Sequence, residues 1–93
     1  MIEREVIVTN IKGIHARPAS LIVKSALQYA STIEFVKSGE TVDAKSIMNI
    51  MTLAAEHGTK ILIRASGHDE QIAIKSIINL FEANFGEDSK DYI

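Results

Sequence analysis

The 93-residue sequence has no cysteine, no tryptophan, a single proline and no excess of basic residues. Without cysteine the chain can form neither disulfides nor thiolate metal sites, and this composition is compatible with the cytoplasm. Ten basic and twelve acidic residues give a net charge of −2, and the only aromatic residues are two tyrosines and three phenylalanines. Nucleic-acid-binding proteins need a basic face or stacking aromatic side chains, so we predict no nucleic-acid partner.

Long hydrophobic runs are absent as well. No apolar run approaches the roughly 20 residues that span a bilayer, and residues 1–5 lack the apolar core of a signal peptide. The composition, 46% hydrophobic and 24% charged, is that of an ordinary globular protein. We therefore predict one cytoplasmic domain without membrane insertion, covering residues 1–86, followed by a frayed polar tail over 87–93.

The hydrophobic periodicity predicts the element order β-α-β-β-α-β-α. The expected strands cover residues 2–8, 32–37, 40–43 and 60–66. The expected helices cover residues 16–29, 46–56 and 69–85. Ser38-Gly39 is expected to form a tight turn, and Asp69 to be either the N-cap or a first-turn acid of the last helix. Phe85 is expected to continue that helix's buried stripe before Gly86 ends it. A two-layer α/β (α+β) sandwich is the most economical packing of these elements.

The candidate site lies in the stretch Gly13-Ile14-His15-Ala16-Arg17-Pro18-Ala19-Ser20. Pro18 is favoured in a first helical turn, which places a helix start close to His15. The free N–H groups of Ala16 and Arg17, together with the Arg17 guanidinium, would then form an anion site that suits phosphate. The field of the helix start disfavours an imidazolium, which keeps His15 neutral and nucleophilic near pH 7.

The middle helix has more apolar residues than one buried stripe can hold. Three of them can face the sheet: Ile50, Leu53 and Ala54. The remainder forms an apolar cluster that is expected to be partly exposed: Ile47, Met48 and Met51. The pattern alone is compatible with a helix buried on all sides or with a docking surface, since exposed apolar clusters mark partner sites and methionine adapts to several partners.

Two motifs at matching separation resemble those of the HPr family, the histidine-containing phosphocarrier proteins of the bacterial phosphoenolpyruvate-dependent sugar phosphotransferase system. Gly13-Ile14-His15-Ala16-Arg17-Pro18-Ala19 resembles the family's active-site motif, and Asp43-Ala44-Lys45-Ser46-Ile47-Met48 resembles its regulatory motif. The resemblance covers nearly the whole chain except the last several residues. It implies an open-faced sandwich with a four-stranded antiparallel sheet in the order 1-4-2-3 and three helices on one face.

The resemblance also implies a stoichiometric phosphocarrier rather than a turnover enzyme. His15 would accept a phosphoryl group from phospho-enzyme I, on Nδ1 as in this family, and pass it to sugar-specific enzyme IIA domains. The backbone N–H groups of Ala16 and Arg17 and the Arg17 side chain would stabilise it. Ser46, a suitable helix N-cap, resembles the residue that HPr kinase phosphorylates, and such a phosphate would place negative charge beside the apolar cluster.

The implied partners are enzyme I, enzyme IIA domains, HPr kinase/phosphorylase and a transcriptional regulator of carbon catabolite control, with this chain as a monomer. Docking is expected through Ser20, Lys24 and the apolar cluster. Lys12, Lys24 and Lys45 would either surround the site and attract acidic partners or form ordinary solvated surface. We predict no cofactor and no metal, because the three histidines lack metal-ligand spacing, and we assign no chemistry to His57 or His68.

Two other functions stay open at this point. One is the same chemistry in a regulatory or nitrogen-related phosphorelay, and the other is an allosteric binding module that acts through phospho-Ser46. The sequence departs from the usual family pattern at Lys12, Asn49 and Ala54, which leaves partner preference open. Ala54 is expected to lengthen the middle helix.

Overall fold

Four strands and three helices make up the fold, and the computed structural model describes residues 1–87. The elements are β1 (Ile2–Ile7), α1 (Ala16–Ala26), β2 (Thr32–Lys37), β3 (Glu40–Asp43), α2 (Ile47–Thr52), β4 (Lys60–Ser66), α3 (Glu70–Glu82) and a 3₁₀ turn (Asn84–Gly86). The sheet order is β1-β4-β2-β3, with every neighbouring pair antiparallel. The predicted element order, sheet topology and two-layer architecture are confirmed.

The core lies between the sheet and the three helices. Alternate residues of the central strands β2 and β4 are fully buried: Ile33, Phe35, Ile61, Ile63 and Ala65. The opposite face carries charged residues such as Glu3 and Arg64, whose Oε2 and Nε atoms lie 2.8 Å apart. This alternation is typical of an antiparallel sheet with one covered face. Within residues 1–87, no helix has the length and apolarity that crossing a membrane requires.

Helix α1 ends at Ala26, earlier than the predicted Tyr29. After Ala26 the backbone tightens into a 3₁₀-type bond from Tyr29 N to Ala26 O, at 3.2 Å. The N–H groups of Ala30 and Ser31 then both donate to the Asp69 carboxylate, at 2.8 and 2.9 Å. Because these bonds fix the turn into β2, tertiary contacts override the helical propensity of the preceding residues.

Asp69 stands at the N-cap position of α3, one of its two predicted places, but its side chain makes no cap hydrogen bond there. It instead holds the turn between α1 and β2, accepting from Ala30 N, Ser31 N and the Ser31 hydroxyl. The Ser31 hydroxyl, followed by the Ala30 N–H, lowers the pKa of Asp69 from 3.8 to about 2. A residue expected to serve its own helix thus joins two distant segments.

We expect Asp69→Asn to lower the melting temperature at pH 7, because an amide replaces an ionised acceptor of three hydrogen bonds. The folded-state pKa lies below the unfolded value, so this stabilisation is present above about pH 4. It is lost as the pH falls through about 2. Thermal melts followed by circular dichroism from pH 2 to 7 should therefore give a difference from the wild type that shrinks in acid. Glu40→Gln, at an exposed residue, is the matched control, and a difference independent of pH would contradict the account.

Helix α2 is shorter than the predicted span of 46–56. Ala54 has a left-handed φ of +50° and is exposed, whereas Leu53 and Ala55 are buried. The predictions that Ala54 faces the sheet and lengthens the helix are therefore wrong, because the chain turns at Ala54 to bury Ala55. The predicted N-cap is confirmed, since the Ser46 hydroxyl accepts from Asn49 N at 3.2 Å.

The chain beyond α3 also differs from the prediction. Phe85 does not continue the helix but lies in the 3₁₀ turn, with a φ of +55°. Its ring is nevertheless buried, edge-on to Phe81 with the centroids 4.9 Å apart. The predicted burial of Phe85 is correct, and the helical geometry assigned to it is wrong.

Candidate functional site

The loop before α1 is locked against the segment that follows α2. Ile14 N donates to Ala55 O at 2.8 Å, and the buried Asn10 side chain donates to Gly13 O at 2.8 Å. Gly13 has a φ of +69°, and a Cβ there would lie 2.6 Å from Ala55 O and 2.9 Å from Glu56 Cα. Only glycine fits this position. The loop therefore delivers the next residue, His15, in a fixed place.

His15 stands immediately before α1, which begins at Ala16 as predicted. Its backbone is extended, its side chain makes no cap hydrogen bond, and the side chain is 37% exposed. Within residues 1–87, the N–H groups of Ala16 and Arg17 have no hydrogen-bond acceptor. A partly exposed imidazole thus lies beside two free amide donors, which is the arrangement an anion needs.

The structure adds a carboxylate, that of Glu87, to this site. Glu87 Oε2 lies 2.8 Å from His15 Nε2 and 3.3 Å from Arg17 Nη1, while its Oε1 accepts from Asn10 Nδ2 at 3.0 Å. The sequence prediction assigned Glu87 to a frayed tail, and this first residue of the predicted tail is instead held by three side chains. The rest of that segment, residues 88–93, lies outside the described residues.

The ionisation of Glu87 decides which His15 nitrogen carries a hydrogen. Burial alone would raise the pKa of Glu87, but hydrogen bonds from Asn10 and His15, with the charges of His15 and Arg17, lower the pKa overall. An ionised carboxylate can only accept, so the hydrogen of a neutral imidazole is on Nε2. The lone pair of the neutral ring is then on Nδ1, the other ring nitrogen.

Arg17 is turned toward the end of the described chain. Its Nη1 donates to Phe85 O at 2.7 Å and approaches Glu87 Oε2. Among the described residues, the other guanidinium N–H groups meet no acceptor, and the side chain is 54% exposed. These free donors lie on the residue whose backbone N–H is also free. Arg17 can therefore meet an anion with both its side chain and its backbone.

The residues predicted to dock partners lie on α1 and α2, which pack against each other. The predicted exposure of the apolar cluster is confirmed: Ile47 is 43% exposed, Met48 78% and Met51 41%. Ser20 is half-buried and Lys24 is exposed. The predicted docking residues thus form an apolar surface on α2, with an exposed lysine in the last turn of the neighbouring α1.

Lys45 does not surround His15. Its Nζ donates to Tyr29 O at 2.8 Å, beyond the C-terminal end of α1, whereas His15 is at the N-terminal end. Eleven helical residues separate the two ends by about 16 Å. Lys12 is exposed in the loop before His15 and stays a candidate for attracting acidic partners.

Asn10 and Glu87 are the site residues that sequence reasoning missed. A separation of 77 positions between them leaves no local pattern to connect them. Asn10 is a residue type favoured in turns and stands three positions before Gly13, and this is the one local signal that could have indicated its role in the loop. Nothing local to Glu87 indicates a contact with His15.

Comparison with known proteins matches residues 2–83 to the family model described as the PTS HPr component phosphorylation site. The phosphocarrier protein HPr of Xylella fastidiosa strain 9a5c is 43% identical over 89 residues, which cover 96% of this chain and 100% of the relative. The HPr-like protein Crh of Halalkalibacterium halodurans is 42% identical over 82 residues, or 88% and 98% of the two chains.

Solved structures agree with these matches. The crystal structure of HPr-C-His from Thermoanaerobacter tengcongensis matches with a TM-score of 0.92 and 42% identity, over 95% of this chain and 99% of that chain. A structure described as an HPr dimer from the same organism matches with a TM-score of 0.76 and 42% identity, over 94% and 100%. With its motifs, its fold and relatives aligned over nearly their whole length, the chain belongs to the HPr family of phosphocarrier proteins of the phosphotransferase system.

Proposed function

We propose that His15 accepts a phosphoryl group from phospho-enzyme I and passes it to sugar-specific enzyme IIA domains. The observation that carries this proposal is the state of the His15 ring. Its Nε2 is hydrogen-bonded to the Glu87 carboxylate at 2.8 Å, the ring is partly exposed, and two free backbone N–H groups follow it in the chain. A nucleophilic nitrogen and donors for the phosphoryl oxygens therefore lie side by side.

Only the two histidine rings and the phosphoryl group exchange bonds in the transfer. The Nδ1 lone pair of neutral His15 attacks phosphorus, the new N–P bond forms as the donor's N–P bond breaks, and that electron pair returns to the donor ring. The N–H groups of Ala16 and Arg17 and the Arg17 guanidinium stabilise the charge on the equatorial oxygens. The reverse of this attack hands the group to an acceptor. The chain acts once per phosphoryl group, as a carrier and without a cofactor.

Protein partners would dock on the apolar cluster, with Ser20 and Lys24 at its edge. Met48, which is 78% exposed, offers a flexible apolar side chain that fits donor and acceptor surfaces of different shape. An apolar surface made of three side chains on one short helix suits transient encounters by a monomer. The exposed cationic groups of Lys12 and Lys24 favour acidic partners.

Intact mass measurement tests the acceptance step. The purified protein is mixed with phosphoenolpyruvate and enzyme I, and its intact mass is measured before and after treatment with acid and with alkali. We expect a gain of one phosphoryl group that acid removes and alkali leaves in place, as for a phosphohistidine. No gain with enzyme I from several sources would contradict the carrier function.

Ser46 would serve as a second, regulatory phosphorylation site. Its hydroxyl caps α2, and Ile47 and Met48 of the apolar cluster follow it directly in the chain. A phosphate there adds a charge of about −1.5 to −2 beside the docking surface. It would repel acidic partners without breaking the fold, because an anion is compatible with an N-cap position.

We expect Ser46→Asp to slow loading by enzyme I about 10-fold or more, because the added charge repels an acidic partner. A tenfold slower rate corresponds to an activation free energy higher by about 1.4 kcal/mol. The melting temperature should change little, because aspartate caps a helix as well as serine does. Ser46→Asn is the matched control, since it keeps the cap and the shape without the charge. Equal loading rates for the two variants would argue against an electrostatic switch at this position.

A binding module that acts through phospho-Ser46 is the second candidate function. It is favoured by the 38% identity to Crh of Bacillus subtilis, which is described as a catabolite repression HPr. A regulatory or nitrogen-related phosphorelay would use the same chemistry with other acceptors. The binding module predicts that phospho-Ser46 increases affinity for a regulator, whereas the relay predicts transfer from His15. Loading of His15 by enzyme I therefore separates the module from both relays.

A further inference from the structure

Glu87 contacts the phosphoryl-acceptor ring although it lies beyond the residues that the family model matches, 2–83. Its side chain is only 19% exposed, and both carboxylate oxygens are bonded. Oε2 faces His15 Nε2 and Arg17 Nη1, and Oε1 faces Asn10 Nδ2. A carboxylate with this many partners is held in one position.

The turn that carries Glu87 is built at an energetic cost. Asn84 and Phe85 both have left-handed φ values, +52° and +55°, although neither is glycine. Such backbone is unfavourable for residues other than glycine and persists only where the surroundings hold it. Three contacts hold this backbone in place: the burial of the Phe85 ring against Phe81, the hydrogen bond from Arg17 to Phe85 O, and the side-chain hydrogen bond between Thr9 and Asn84.

Asn10 connects the Glu87 turn to the loop that delivers His15. It is 0% exposed, and its Nδ2 donates both to Gly13 O and to Glu87 Oε1. The His15 backbone and the carboxylate that faces its ring are thereby fixed to the same buried amide. Movement of Glu87 relative to His15 would break a hydrogen bond inside the protein.

We propose that Glu87 is a positioning residue for the phosphoryl-transfer reaction, holding His15 in the Nε2–H form with Nδ1 free and balancing the charge that the ring gains on transfer. This inference rests on the proposed function of His15. Attack by Nδ1 leaves the ring bonded to phosphorus with Nε2 still protonated, so the ring becomes a cation next to the carboxylate. When the group departs, its bonding electron pair returns to Nδ1 and the ring is neutral again.

Arg17 reduces the electrostatic repulsion between the Glu87 carboxylate and the phosphoryl group. Its Nη1 lies 3.3 Å from the Glu87 oxygen that faces His15, so a positive charge offsets part of the negative one. A carboxylate that orients an imidazole and stabilises its cationic form is the same physical device that serves serine proteases. The geometry here applies it to a phosphoryl acceptor.

The first test is the tautomer of His15, read from the ¹⁵N chemical shifts of its ring in the unphosphorylated protein. In the wild type the Nε2–H form should dominate. In Glu87→Gln the amide can donate as well as accept, so the Nδ1–H form should become populated. Glu82→Gln, at an exposed residue on the last turn of α3, is the matched control and should leave the shifts unchanged.

The second test is the rate constant of loading by enzyme I in the same two variants. Glu87→Gln should load about 10- to 100-fold more slowly, which is the loss typical when the hydrogen-bond partner of a metal-ligating histidine is mutated. Glu82→Gln should load at the wild-type rate. A melting temperature close to that of the wild type for Glu87→Gln shows that the fold is intact, and Glu87→Ala repeats the comparison without an amide.

Either an unchanged tautomer ratio or an unchanged rate constant in both Glu87 variants overturns the proposal. The tautomer measurement uses the protein alone, so it tests Glu87 even if the proposed function fails. Failure of the proposed function would appear separately, as a wild type that takes up no phosphoryl group.

Discussion

Replacing His15 with alanine is expected to abolish phosphoryl loading while leaving the fold intact. The His15 ring is partly exposed and makes no cap bond to α1, so its loss removes the nucleophile and the Glu87 contact but little packing. The free energy of unfolding should change by no more than about 1 kcal/mol. Intact mass after incubation with phosphoenolpyruvate and enzyme I measures the loading, and a thermal melt measures the stability.

His68→Ala is the control for this experiment, because His68 is exposed and distant in sequence from the α1 start. It should load fully. An acid-labile phosphoryl group on His15→Ala would place the acceptor elsewhere and contradict the assignment of His15.

Replacing Arg17 with alanine is expected to slow phosphoryl transfer about 100-fold, because removal of one preformed donor to a developing anion costs on that order. Arg17 Nη1 also bonds Phe85 O at 2.7 Å, so the variant should lose about 1 kcal/mol of stability as well. Single-turnover transfer kinetics and a denaturant melt separate the two effects.

Arg17→Lys distinguishes charge from geometry. Lysine keeps the positive charge but not the planar fork, so its transfer rate should lie between those of the wild type and Arg17→Ala. Transfer by Arg17→Ala at the wild-type rate would show that the guanidinium takes no part in stabilising the phosphoryl group.

Local sequence patterns predicted the parts of the fold that local physics decides. The residue patterns over 32–37 and 60–66 predicted β2 and β4 to the residue. Ser38 and Gly39 have φ values of +51° and +82°, as the predicted tight turn between β2 and β3 requires. The Ser46 cap was also correct.

The errors lie where distant segments bond to each other. Residues 27–29 have helical character, yet Asp69, some 40 positions away, holds the chain in a turn just after them. Ala54 is a good helix former, yet the chain adopts a left-handed φ there. The bond from Ile14 N to Ala55 O, next along the chain, explains why the helix cannot continue. Propensity summed along the chain cannot anticipate such bonds.

The candidate site also has a part that the local sequence predicted and a part that long-range contacts determine. His15, Arg17 and the free N–H groups belong to one contiguous motif, so their proximity followed from Pro18 and the helix start. Glu87 reaches His15 across 72 positions, through two left-handed residues whose conformation depends on the buried Phe85 ring. The contact between Glu87 and His15 therefore depends on how the whole domain packs, and no local pattern in the sequence predicts it.

A chase experiment tests whether this chain both receives a phosphoryl group and gives it away. Protein loaded on His15 is separated from enzyme I and phosphoenolpyruvate, then mixed with an enzyme IIA of a sugar system or of a nitrogen-related system. We expect the intact mass of the carrier to fall by one phosphoryl group as that of the sugar-system acceptor rises by one. Transfer to the nitrogen-related acceptor alone would favour the regulatory relay, and a phosphoryl group that stays on His15 with every acceptor would contradict the carrier function.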